Sequence, residues 1–474
     1  MKKFFVFAAL ILTLYTLSLA QGYKISIKLN GLSQDTIMMG YYFGKYQYVR
    51  DTLVLDKNGK GVFETKDTVG GGIYFIVLPN NNFIEFVLDK EREFSIEADT
   101  SNLIKSAKVK GSTDNSAWFA YKVFINDRGE KVDALSKKLK RLQGTGQNDS
   151  IKLLEKQIKD INEEVVNYKN KFIDNNPKSF ISKVFSSSRE PEIPEIPLLP
   201  DGKKDSTFAY RYFRAHFWDA FDLTDDRLLR TPIFHSKLDQ YITKVIPQIP
   251  DTLIKEIDVI IEKTRANKEV FKYTVWYLTH YYETSQVMGM DAVFVFIVDK
   301  VYRPGDAFWV SENVKNKIIE RADKLKPNLI GKVAPELILL GLNNQLVSLH
   351  SIPAEFTIIY FWDPSCGHCK VETPKLVDFY NKVKDTLDLK IYAVCSDTNL
   401  TTWSNYVAEK KMDAFINVNG TRSAKGNFHD LYDIFSTPVV YILDNKKRII
   451  GKRIPVDQID SFLNFYRKHP TLKD

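Results

Sequence analysis

Apolar and polar residues alternate from Lys24 to Leu29, and a period of two returns in Gly72–Leu78 and in Phe83–Leu88. Alternation of this kind predicts half-buried strands. Asp56-Lys57-Asn58-Gly59 and Asn80-Asn81-Asn82 supply turns between the runs. Six or seven short strands so spaced predict an antiparallel β-sandwich domain over residues 21–111. Its Tyr41-Tyr42-Phe43 and Tyr46 are expected to pack on the sheet.

Near Gly111-Ser112-Thr113-Asp114 the period changes. Val132, Leu135, Leu139 and Leu142 recur at helical spacing. After a polar turn over 144–150, Ile151, Leu154, Ile158, Ile161, Val165, Tyr168 and Phe172 continue the 3,4 pattern. The two stretches predict an antiparallel helical hairpin over 128–176. Prolines at 191, 194, 197 and 200 repeat every three residues, which predicts a stiff extended strap. From Ser206 the pattern is helical again and rich in aromatics, so 112–326 reads as a helical middle domain. Its His216, His235 and His280 have no partner at metal-ligand spacing.

Beyond Lys326-Pro327 strands and helices alternate. Pro335–Leu340 and Gln345–Leu349 predict a hairpin, and Phe356–Trp362 is an apolar run of buried-strand type. That run leads into Asp363-Pro364-Ser365-Cys366-Gly367-His368-Cys369 and a helix. A strand over 389–395, a helix over 401–411, a strand pair at 439–443 and 448–450, and a closing helix from 456 to 468 follow. The whole is a multidomain α+β chain.

Composition changes this picture in two places. With 44% hydrophobic residues in 474, the chain can bury several cores, which excludes a disordered or collagen-like protein. The net charge of +8 is spread along the chain without a basic block, too dilute to argue for nucleic acid. Residues 1–20 have the form of a secretory signal peptide: Lys2-Lys3, an apolar run from Phe4 to Leu17, then Ser18-Leu19-Ala20. The expected location is extracytoplasmic, periplasmic and soluble after cleavage. A secreted chain with only Cys366, Cys369 and Cys395 does not use disulfides as staples.

The Cys-x-x-Cys pair therefore needs a chemical explanation. A cysteine at a helix N-terminus meets unpaired N–H groups and the positive end of the helix dipole, which favour the thiolate. Thiolate is the nucleophile of disulfide exchange. Cys366 is expected to attack and Cys369 to resolve, closing a redox-active Cys366–Cys369 disulfide. Gly367 is expected to remove bulk beside the sulfurs, and the His368 imidazolium to stabilise the thiolate. A zinc site would need two more ligands, and a structural disulfide closing so short a loop would constrain the unfolded chain little. A peroxiredoxin would carry Pro and Thr seven and three residues before its cysteine, where Ile359 and Asp363 stand. Cys395, at the end of an apolar strand, reads as an inert buried thiol.

Trp362, Cys366-Gly367-His368-Cys369, Pro374 and Thr437-Pro438, with the lead-in Gly331-Lys332-Val333-Ala334-Pro335, resemble the thioredoxin superfamily. The resemblance is to its extracytoplasmic TlpA/ResA-like branch and covers residues 330–474. Upstream, the chain is similar to uncharacterised domains that accompany such thioredoxins in Bacteroidetes secreted proteins. The resemblance implies a thioredoxin-like fold, a cis Thr437–Pro438 bond facing the active cysteine, and Glu372 as proton acceptor for Cys369. Glu372 also stands three residues before Lys375, as an i,i+3 surface pair would. Typical thioredoxins hold a buried carboxylate where this chain has Tyr360. The implied activity is thiol–disulfide exchange with protein substrates. No nucleotide, haem or metal is implied, and the redox partner would be another thiol protein, such as a membrane-embedded thiol reductant. The Gly-His pair resembles that of protein disulfide isomerase, implying a potential between its roughly −180 mV and the −270 mV of thioredoxin. Membership of the branch implies reductase work. The competing reading is a binding or scaffold protein whose thioredoxin-like domain docks partners.

Overall fold

A computed structural model describes residues 22–425 and 427–469 of the chain. The expected signal peptide lies outside the described residues. No helix among them is long and apolar enough to cross a membrane. Two compact units divide the chain, Met1–Ile246 with Lys263–Val270, and Pro247–Glu262 with Phe271–Asp474.

The first unit opens with eight strands: β1 (Tyr23–Asn30), β2 (Thr36–Phe43), β3 (Tyr46–Val54), β4 (Lys60–Thr65), β5 (Gly72–Val77), β6 (Phe83–Leu88), β7 (Glu93–Asp99) and β8 (Lys108–Lys110). They form two four-stranded sheets, ordered β4-β1-β7-β8 and β3-β2-β5-β6. Every pairing is antiparallel except β1 with β7, which run parallel. Ile25, Ile27 and Ile96 from one sheet meet Met39, Ile76 and Phe86 from the other in a single core. Between β3 and β4 the Asp56 carboxylate accepts from the N–H groups of Asn58 (2.7 Å) and Lys60 (2.8 Å). Gly59 there has φ +70, and a Cβ on it would stand 2.3 Å from the Leu29 carbonyl oxygen. The turn accepts only glycine. Tyr42 is buried and donates to Glu85 at 2.7 Å, as packing on the sheet requires, whereas Tyr46 is exposed.

Ser112 caps the next element, accepting from the Asn115 N–H. Helix α1 (Thr113–Leu142) begins before 128 because Trp118, Phe119 and Tyr121, outside the leucine pattern, bury its first turns. Its partner α2 (Asn148–Asn175) has no buried residue, and the pair is joined by Phe124 stacked on Tyr168, ring centroids 4.4 Å apart. The helices α3 (Phe180–Ser187), α4 (Phe208–His216) and α5 (Ile233–Gln240) follow, with the proline-rich strap between α3 and α4. His216 bonds Asp219 at 2.6 Å, and His235 is half-buried.

Helices α6 (Pro250–Thr264), α7 (Lys268–Glu283), α8 (Asp291–Ile297) and α9 (Glu312–Leu325) precede the C-terminal α/β fold. That fold comprises β9 (Ile338–Gly341), β10 (Leu346–Ser348), β11 (Phe356–Trp362), α10 (Gly367–Val383), β12 (Leu389–Cys395), α11 (Leu400–Glu409), β13 (Ile416–Ser423), α12 (Phe428–Tyr432), β14 (Val439–Leu443), β15 (Ile449–Lys452) and α13 (Ile459–Lys468). The seven-stranded sheet runs β10-β9-β13-β12-β11-β14-β15, with β11, β12 and β13 mutually parallel. Central β11 is buried on both faces. Ile358, Tyr360 and Trp362 join the core under α10, α11 and α13, while Ile359 and Phe361 join Phe428, Tyr432 and Tyr441 on the other side. This explains its unbroken apolar run.

β13 and α12 are absent from the elements expected from sequence. β13 reads Ile-Asn-Val-Asn-Gly-Thr-Arg-Ser, a polar string. It is nonetheless central, because buried Asn417 donates to the carbonyls of Met412 (2.8 Å) and Phe415 (3.2 Å), and buried Asn419 to that of Asp397 (2.9 Å). The Asn419 amide nitrogen thus finds its partner on a distant segment, and the Asn417 amide nitrogen finds two in the turn just before the strand.

Candidate functional site

The strand-to-helix turn after β11 is tied down by Asp363. One carboxylate oxygen accepts from Ser365 N–H at 2.8 Å, and the other accepts from the Ser396 hydroxyl at 2.7 Å. Burial pushes the Asp363 carboxyl up, but the bonds from Ser365 and Ser396 outweigh it and hold it below the usual carboxylate range. The Ser396 N–H also donates to the Trp362 carbonyl at 2.9 Å, so the turn is fixed to the end of β12. Trp362 is fully buried, its ring 4.7 Å from that of Tyr406.

Cys366 is the N-cap of α10, with an extended backbone, and its sulfur accepts from the Cys369 N–H at 3.4 Å. Its thiol donates to the Thr437 carbonyl at 3.1 Å. The Thr437–Pro438 bond is cis. Cys366 is partly exposed, Cys369 and Cys395 are buried, and all three are free. Burial raises the Cys366 thiol, but the side chains of Cys369 and Thr437 and the backbone N–H groups of Cys369 and His368 outweigh it. Its pKa ends below the ordinary thiol value. The same burial acts on Cys369 with less to oppose it, and its pKa is pushed up to about 12. Two cysteines one helical turn apart thus differ in opposite directions, a consequence of cap position and depth. Cys395 is also pushed up to about 12 by burial.

His368 supports Cys366 through its backbone N–H, while its side chain is exposed. Beyond its two chain neighbours and the backbone of its own helix, a Cβ at 367 would have no heavy atom within 4 Å. Glu372 is partly covered, with 24% of its side chain exposed, and receives the Lys375 ammonium at 2.7 Å. Behind Cys369, the Tyr360 hydroxyl meets the Thr373 hydroxyl at 2.9 Å, and Tyr406 donates to Thr373 at 3.5 Å. A cluster of neutral hydroxyls thus stands beside Tyr360. His368, Glu372 and Pro438 are among the residues that line a cavity of about 620 Å³, as are Arg321, Asp433 and Phe435. Sequence reasoning missed those last three. Arg321 and Asp433 lie 112 positions apart, so no local spacing could have paired them. Among the described residues, no three His, Cys, Asp or Glu side chains form a group that could hold a metal ion.

Residues 330–452 match the AhpC/TSA family. Residues 23–118 and 151–333 each match a domain of unknown function, DUF4369 and DUF5106. The chain is 23% identical to a thiol-disulfide oxidoreductase ResA of Bacillus cereus over 145 residues, covering 30% of this chain and 80% of that protein. Among solved structures, a domain of a possible thiol-disulfide isomerase from Cytophaga hutchinsonii is 36% identical. It covers 30% of this chain and 96% of its own, with a TM-score of 0.29. A thioredoxin-like protein from Bacteroides caccae is 18% identical, covering 58% of this chain and 99% of its own, with a TM-score of 0.45. The C-terminal part of the chain, residues 330–452, is thus a thioredoxin-like domain of the AhpC/TSA family that is similar to ResA, and it is preceded by two accessory domains of unknown function.

Proposed function

We propose that this protein is an extracytoplasmic thiol–disulfide oxidoreductase that exchanges disulfides with protein substrates through Cys366 and Cys369. The observation that carries the reading is the opposed pair: a partly exposed cap cysteine held below the ordinary thiol pKa, and a buried neighbour pushed up to about 12. The first is the readier nucleophile of the two, and the second is protected until it is needed.

In the reducing direction, the Cys366 thiolate attacks a substrate disulfide sulfur. A mixed disulfide forms and one substrate thiolate leaves. Cys369 then gives up its proton and attacks the Cys366 sulfur, forming the Cys366–Cys369 disulfide and releasing the second substrate thiolate. Two electrons pass to the substrate, and another thiol protein must return them. A membrane-embedded thiol reductant fits that need for a protein outside the cytoplasm. Glu372, partly covered and on the cavity wall, is the proposed acceptor of the Cys369 proton, with Lys375 orienting its carboxylate. The form of residues 1–20 supports a periplasmic location.

Insulin reduction by dithiothreitol tests the reading. The wild type is expected to accelerate precipitation of the insulin B chain, and Cys366→Ser to fall to the rate of dithiothreitol alone. Equal performance would leave a docking protein with a thioredoxin fold.

A further inference from the structure

Asp433 ends α12 in the left-handed region, φ 55, and its side chain is 1% exposed. A buried carboxylate is costly unless it is paired. One oxygen is taken by the guanidinium of Arg321, on helix α9, upstream of the thioredoxin-like fold. The other accepts from Arg453 at 3.1 Å, and the Arg453 N–H donates to the Val440 carbonyl at 2.7 Å. The Arg321 guanidinium also lies 5.4 Å from the ring centroid of Phe435, which is 76% exposed. Arg321 thus holds two points of a short loop whose next residues are Ser436 and Thr437. Thr437 is the residue that meets the Cys366 thiol at 3.1 Å.

We infer that helix α9 is a working part of the thiol site, with Arg321 as a positioning residue that fixes the Asp433–Thr437 loop against Cys366. The inference rests on the proposed exchange reading and gives the upstream helix a task within it. Without Arg321 one oxygen of a buried carboxylate loses its partner, and the cheapest relief is for the loop to turn Asp433 toward water. Thr437 sits four residues on, so the same movement carries it away from the sulfurs. The Thr437 side chain lowers the pKa of both cysteines, so its displacement should register on the thiols. Arg321 also lines the same cavity as His368 and Pro438, so α9 contributes a cation to the surface next to the thiol site.

The test compares wild type, Arg321→Gln and Arg321→Lys in the full chain. Three quantities are read: the pH profile of Cys366 alkylation, the equilibrium constant with glutathione, and the melting temperature. For the Gln variant, Cys366 alkylation at pH 7 is expected to slow by at least about threefold, as its pKa returns toward that of a free thiol. The glutathione equilibrium should shift with it. Lysine, which keeps the charge but not the planar fork, should fall between. A folded Gln variant with wild-type profile and equilibrium overturns the inference, even if it melts earlier. Should the Gln variant fail to fold, a folded Lys variant indistinguishable from wild type in both readouts overturns it equally. Loss of wild-type insulin reduction would count against the exchange reading, while the alkylation profile would still decide the role of Arg321.

Discussion

A Cys369→Ser variant is expected to stop at the mixed disulfide. Cys366 keeps its cap position and most of its stabilising contacts, so attack on substrate proceeds. Release does not, because the resolving sulfur is gone. Intramolecular attack by a well-placed group is equivalent to an effective concentration of about 10⁵–10⁸ M, which millimolar external thiol cannot match. The mixed disulfide should therefore persist at least about a hundredfold longer than in the wild type, and covalent adducts should appear on non-reducing gels. Glu372→Gln probes the same step more gently. Cys366 alkylation should remain near normal, while resolution slows by about a hundredfold or less, the lower end of general-base assistance. Unchanged resolution from pH 5 to 8 would leave Glu372 as the surface partner of Lys375 alone.

Asp291→Ala is expected to destabilise the protein by roughly 3–5 kcal/mol, the cost of stranding a buried charge. Its partner Lys452 has 8% of its side chain exposed, sits on edge strand β15, and donates to the Asn328 carbonyl at 2.8 Å. Burial holds the Lys452 ammonium below the usual lysine range, against the opposing pull of Asp291. Removing Asp291 lowers that pKa further. Between the depressed folded value and the unfolded value of about 10.4, the unfolded chain then binds more protons. Stability of the variant should consequently rise with pH through that window. Urea unfolding at several pH values checks both magnitude and sign. Adding Lys452→Met, which removes the stranded cation, should recover most of the loss.

What was legible in the sequence is what local pattern determines. β11 declared itself because both of its faces are buried. Asp56-Lys57-Asn58-Gly59 declared a turn because its geometry admits only glycine at the last place. The Cys366–Cys369 spacing and its position after a strand suffice to put one sulfur on a helix cap and the other in the core. β13 was illegible because the amide nitrogens of its buried asparagines are taken up by backbone carbonyls outside the strand, which no periodicity reveals. Two ion pairs were equally hidden: Arg321 with Asp433, and Asp291 with Lys452, the latter 161 positions apart. The roles of neighbours were legible only in outline. His368 serves Cys366 through its backbone, and Glu372 is both partly covered and paired with Lys375.

The central claim is that Cys366 and Cys369, three residues apart, are chemically opposite. Rates of iodoacetamide labelling at each cysteine of the reduced wild type, resolved by peptide mass from pH 5 to 9, test it most directly. Cys366 should react with an apparent pKa below the roughly 8.5 of a free thiol, while Cys369 and Cys395 stay unlabelled across the range. Comparable labelling of Cys366 and Cys369, or an apparent pKa for Cys366 at or above that of a free thiol, would contradict the account.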